Sequence, residues 1–160
     1  MSGVFDVPGQ IAPCTEFNCL YDPVAFDICI NAGWTSQYIV PHDAATQCTW
    51  GEDVYQLFKS KNVTKSTEIV VNKLAKVYDN NEEIDPPYCW DPILAAAAIC
   101  PWLINSYEMR QVEIDTRMGM TYGATFSWKE GKGPEGAPNA MIILELERTQ
   151  FWDYLSDFYA

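Results

Sequence analysis

The sequence predicts an α/β fold: helices flank an open, mostly parallel sheet, and a β-rich last third leads into a closing helix. Three observations predict it. Asp22-Pro23 opens a helical run that reaches Gly33, and after a loop comes the short apolar strand Tyr38-Ile39-Val40. Helix, loop and short buried strand is the order that a parallel α/β sheet produces. In the last third the period shortens to two, because Val112, Ile114 and Thr116 alternate with Gln111, Glu113 and Asp115.

Each element has a local reason. Asp before Pro starts a helix well: the carboxylate accepts from the free amides of the first turn, and Pro at that position forfeits no bond. Val24, Ala25, Ile28 and Cys29 recur at helical spacing over residues 22–32, and Gly33 suits the cap. Thr49-Trp50-Gly51-Glu52 reads as a capping box for a short helix through Val54, Leu57 and Phe58. A second helix begins near Thr64, with Val70, Leu74, Val77 and Tyr78 as its apolar stripe. Asn80 to Glu83 and Pro86-Pro87 form a solvated, helix-free connection. Asp91-Pro92 repeats the start signal ahead of a small-residue helix, Ile93 to Ile99, suited to close packing. Tyr122 to Trp128 and Ala140 to Leu146 give two more strands around a Gly/Pro loop. Phe151, Leu155, Phe158 and Tyr159 give the closing helix. No internal repeat or boundary divides residues 1–160, so they read as one domain.

Composition excludes some functions. With 22 acidic against 10 basic residues, the net charge of −12 disfavours non-specific binding to nucleic acid or an anionic membrane. The longest apolar run, Ile93 to Cys100, is too short to span a bilayer. The N-terminus has neither a basic region nor an apolar core, so it does not read as a signal peptide. Six cysteines at irregular spacing give no zinc pattern. They permit disulfides, and Asn62-Val63-Thr64 is a glycosylation sequon, so the compartment stays open between secreted and cytoplasmic.

Candidate chemistry gathers at three places. Glu16 and Asn18, on the loop ahead of the first helix, can together accept from and donate to a sugar hydroxyl. Alternatively, Asn18 holds the turn and Glu16 faces water. His42, the single histidine, and Asp43 lie on a turn after a strand, where open α/β sheets tend to place ligands. Asp91 reads as a helix cap whose second oxygen could ligate calcium, although calcium needs about six to eight oxygens. Trp90 can stack on a planar base or simply fill core.

The stretch Pro8-Gly9-Gln10, Pro13, Glu16-Phe17-Asn18, Asp22-Pro23 and Ala25 resembles the pattern P-G-N-x-x-P-x-x-E-F-N-x-x-x-D-P-x-A of the inosine-uridine-preferring nucleoside hydrolases. Further segments follow in the family's order. Ile39 to Asp43 resembles its V-P-L-D turn, Thr46-Gln47 its T-H-Q, and Trp90-Asp91-Pro92 its H-D-P. Val112-Glu113-Ile114 with Gly119-Met120-Thr121 resembles its V-x-V-E and G-x-T segment.

The resemblance implies calcium-assisted hydrolysis of the N-glycosidic bond of ribonucleosides. Carried over by motif, Gln10, Glu16 and Asn18 would bind ribose, Trp90 would stack on the base, and Asp91 would ligate Ca2+. Two departures stand out. Trp90 replaces a histidine beside the calcium-binding Asp, and an indole cannot protonate a leaving base. The family's D-T-D-x-G-x-D-D loop has no counterpart here, while Met1-Ser2-Gly3 resembles an internal M-G-G. The chain therefore reads as the C-terminal part of the fold, incomplete at its N-terminus and without a catalytic residue of its own. Two functions follow: an enzyme completed by an N-terminal half or second chain, or an inactive relative that binds or self-assembles as a homo-oligomer.

Overall fold

The computed structural model describes residues 1–61, 63–80, 88–134 and 137–160. The sequon at Asn62 and the connection through Asn81 to Pro87 lie outside the described residues. The chain forms two compact units, Met1–Ala45 with Ile104–Leu146, and Thr46–Leu103 with Glu147–Ala160.

The first unit holds α1 (Phe17–Tyr21), α2 (Pro23–Ile30), β1 (Tyr38–Ile39), α3 (His42–Ala45), β2 (Ile104–Ile114), β3 (Thr125–Lys129) and β4 (Ala140–Leu146). Its sheet runs in the order β1-β4-β2-β3. Only β1 and β4 pair in parallel, through Tyr38↔Met141 and Ile39↔Ile142. The long β2 is antiparallel to both neighbours.

This corrects the expected open, mostly parallel sheet: the sheet is mixed and mostly antiparallel. A parallel pair needs a crossover, whereas a tight reversal returns the chain antiparallel. The reversal after β2 is closed by Asp115 N–H to the Ala124 carbonyl at 2.9 Å and Gly123 N–H to that of Asp115 at 2.8 Å. Ile30, Ile39, Val112, Ala140 and Ile142 form a core cluster, with Phe5, Phe26 and Leu144 packed against it.

The second unit holds α4 (Glu52–Ser60), α5 (Lys65–Tyr78), α6 (Asp91–Ile99), a short 3₁₀ turn (Pro101–Leu103) and α7 (Arg148–Tyr159). Large rings fill it. Trp50 meets Phe58 at 5.5 Å and Trp152 at 4.7 Å, while Tyr55 stacks on Tyr78 at 5.6 Å. The buried residues of α5 are Thr67, Val71 and Leu74; of the expected stripe Leu74 is buried, and Val70, Val77 and Tyr78 are half-buried.

Two capping expectations are corrected. Gly51, not Thr49, precedes α4, and no side chain caps that helix. The capping box occurs instead at Thr64 and Thr67, on α5. Asp91 lies within the first turn of α6 after Trp90, and no side chain caps that helix either. Asp22 does cap α2, accepting from Ala25 N–H at 2.9 Å.

Candidate functional site

The loop ahead of α1 is built by close backbone approach. Gly9 N–H donates to the Pro13 carbonyl at 2.9 Å and Ile11 N–H to that of Thr15 at 3.1 Å. A Cβ on Gly9 would sit 2.1 Å from the Ala12 carbonyl oxygen, so only glycine fits there. The loop is pinned to β3 by Thr125 N–H donating to the Cys14 carbonyl at 2.9 Å. On the other side Gly123, at φ 79°, lets its loop pass Leu20; a Cβ would come within 2.9 Å of Leu20 Cα.

Glu16 is then forced inward, 2% exposed, as the cap of α1. Its carboxylate accepts from Asn18 N–H at 2.9 Å, Cys19 N–H at 3.2 Å, Gly3 N–H at 3.1 Å and Ser2 Oγ at 3.2 Å. The carboxylate holds the fold, fastening the N-terminal segment to the first turn of α1. Asn18 is exposed, and its Nδ2 donates to the Met1 carbonyl at 3.1 Å. Gln10 is exposed on the same loop. Beneath them, the buried Cys19 thiol lies 3.0 Å from Ser2 Oγ, and burial pushes its pKa up to about 12.

The rest of the N-terminal segment is fastened in the same manner. Thr125 Oγ1 accepts from Val4 N–H at 3.1 Å and donates to the Val4 carbonyl at 2.7 Å. Asp43 accepts from the N–H groups of Phe5 and Asp6. The buried Arg110 binds Asp6 through Nη1 at 3.0 Å and Nη2 at 2.6 Å. That guanidinium, more than the opposing effect of burial, lowers the pKa of Asp6. Asp43 was legible as a strand-end carboxylate. Ser2, Thr125 and the Asp6–Arg110 pair were not, since their partners are distant in sequence and no local pattern joins them.

Trp90 and Asp91 belong to the second unit. Trp90 is half-buried with its ring edge-on to Tyr88 at 5.1 Å. Asp91 is exposed. Among the described residues, no group of three or more His, Cys, Asp or Glu could hold a metal ion. The described residues do not fit calcium, because Asp91, the expected ligand, is not joined by the further oxygen ligands that the ion needs. The expected calcium requirement is corrected accordingly.

Residues 1–153 match the model of the inosine-uridine preferring nucleoside hydrolases. The chain belongs to that family. The match covers nearly the whole of it, which corrects the reading as a C-terminal half defined by an absent N-terminal one. No curated protein sequence matches the chain.

Among solved structures, an inosine-guanosine nucleoside hydrolase aligns at a TM-score of 0.80 with 21% identity, covering 99% of this chain and 50% of that one. An inosine-uridine preferring nucleoside hydrolase from Bacillus anthracis aligns at 0.79 with 19% identity, covering 99% and 49%. A purine-preferring ribonucleoside hydrolase from Gardnerella vaginalis aligns at 0.75 with 18% identity, covering 98% and 49%. The fold is thus that of a nucleoside N-ribohydrolase-type glycosidase, and the chain spans about half the length of each of these solved relatives.

Proposed function

We propose that the protein binds ribonucleosides by the ribose, as a member of a family that hydrolyses their N-glycosidic bond. Asn18 and Gln10 are the sugar contacts and Glu16 is a positioning residue. The observation that supports this is the division of labour in the Glu16-Phe17-Asn18 loop. A buried carboxylate satisfied by four donors fixes the turn, and the carboxamide beside it stays at the surface. An amide group carries two donor hydrogens and an acceptor oxygen. Asn18 gives one hydrogen to the Met1 carbonyl at 3.1 Å, and its nitrogen lies 3.9 Å from Met1 Sδ, a weak acceptor. The remainder suits a hydroxyl, which both donates and accepts.

For the chain by itself we propose binding without turnover. A general base needs a lone pair within reach of its water. The buried carboxylates among the described residues are Glu16, Asp43 and Asp115. Each already accepts bonds from the chain, Asp115 from Arg117 and Thr121.

Titration calorimetry with inosine and with uridine tests this. Asn18→Ala is expected to weaken binding about three- to tenfold, the worth of one or two hydrogen bonds, with no free ribose appearing. Affinity unchanged by Asn18→Ala together with Gln10→Ala would overturn the sugar contacts. Release of base and ribose by the pure chain would overturn the second half.

One observation favours a second role, self-assembly. Phe17, Tyr21, Val24 and Ile28 stand 52%, 83%, 51% and 65% exposed on α1 and α2. Such an apolar surface usually marks an interface. Sedimentation is expected to show an oligomer that Val24→Glu with Ile28→Glu converts to monomer; a wild-type monomer at all concentrations would rule it out.

A further inference from the structure

Two cysteines of the second unit face each other across an isolated strand pair. Thr49 and Tyr88 form an antiparallel bridge. That register puts Cys48 opposite Cys89, whose N–H donates to the Cys48 carbonyl at 2.8 Å. Hydrogen-bonded partners in such a pair hold their Cα atoms about 5.5 Å apart. A disulfide spans roughly 4.4–6.8 Å between Cα atoms. Both side chains are buried, at 1% and 0% exposed. The Cys48 thiol is close enough to act electrostatically on that of Cys89. Both thiols are free in the structure.

We propose that Cys48 and Cys89 are a disulfide site, oxidised by a low-molecular-weight disulfide such as oxidised glutathione. One cysteine thiolate attacks the glutathione disulfide, forming a mixed disulfide and releasing a glutathione thiolate. The second cysteine then displaces the other glutathione. Both protein S–H bonds are lost, one protein S–S bond forms, and the two electrons leave as two reduced glutathiones.

Burial pushes the two thiols up to about 11 and about 12, so the packed state holds little thiolate at neutral pH. The exchange therefore takes place as the chain folds or when this strand pair opens. The position gives the bond a consequence. Cys48 follows the Thr46-Gln47 motif and Cys89 immediately precedes Trp90-Asp91-Pro92. The bond closes the chain over α4 and α5 and fixes the point where α6 begins. This inference does not depend on nucleoside binding.

The test is to refold the full reduced chain near pH 8 in a mixture of reduced and oxidised glutathione. Remaining thiols are then alkylated, and the digest is mapped by mass spectrometry. The expected result is a peptide joining positions 48 and 89, with reactive thiols falling from six to four. The melting temperature should rise by about 5–10 °C over the reduced protein. In Cys48→Ser with Cys89→Ser, the same oxidant should leave the melting temperature unchanged. Six alkylatable thiols after refolding, or a linkage joining other cysteines, would overturn the proposal.

Discussion

The core of the second unit and the amino-terminal segment of the first are held in place by different physics. In the second, Tyr55 and Phe58 on α4, Leu74 on α5 and Phe151 on α7 bury large apolar side chains, and contact is non-directional. In the first, residues Ser2 to Asp6 are held by directed bonds to Glu16, Thr125, Asp43 and Arg110, all buried. A packed ring tolerates another group of similar volume. A buried carboxylate with four donors tolerates almost nothing, because each donor left over has lost its water.

Substitutions can sharpen or break that comparison. The largest effect is expected for Phe58→Ala, at about 3–5 kcal/mol by urea unfolding, because the ring is fully buried. Phe58→Leu, which keeps most of the volume, should cost about 1.5 kcal/mol or less. Glu16→Gln, nearly isosteric, should cost about 2–3 kcal/mol, since an amide nitrogen now opposes N–H donors. If Glu16→Gln proves as mild as Phe58→Leu, the contrast fails.

Thr125→Val should cost about 1–2 kcal/mol, because it keeps the shape and strands both polar groups of Val4. Acidification gives the smallest effect. The folded pKa of Asp6 lies below its ordinary 3.8. The Asp6–Arg110 contribution is therefore complete above about pH 4 and disappears as the pH falls through the lower folded value. With the Asp6 side chain 52% exposed, unfolding at pH 2.5 against pH 6 should register under about 1 kcal/mol from this pair. Asp6→Asn should remove that difference.

Local chemistry was legible and long-range pairing was not. Asp22-Pro23 gave a true cap, and Ala140 to Leu146 is a strand with the expected bounds. Thr49 failed as a cap because its backbone instead bridges to Tyr88. The strand at Tyr38 suggested a parallel sheet, but it pairs over two residues while the long β2 sets the direction of its neighbours. Glu16 and Asn18 were visible as a pair. The alternative to a shared sugar contact had Asn18 holding the turn and Glu16 facing water, the reverse of what the structure shows. The burial of Glu16 depends on Ser2 and Gly3 reaching the carboxylate, which spacing along the chain does not reveal.

The bond between Val4 and Thr125 joins residues 121 apart in sequence. A contact of that separation carries a heavy loop-closure cost, so it forms after the β2–β3 hairpin exists. The Val4–Thr125 bond is therefore among the last of the first unit to form. Thr125→Val should accelerate unfolding in stopped-flow traces and leave the refolding rate nearly untouched. Ser2, Gly3, Phe5 and Asp6 keep their bonds to Glu16, Asp43 and Arg110 without Thr125, and Val4 alone is left unfastened.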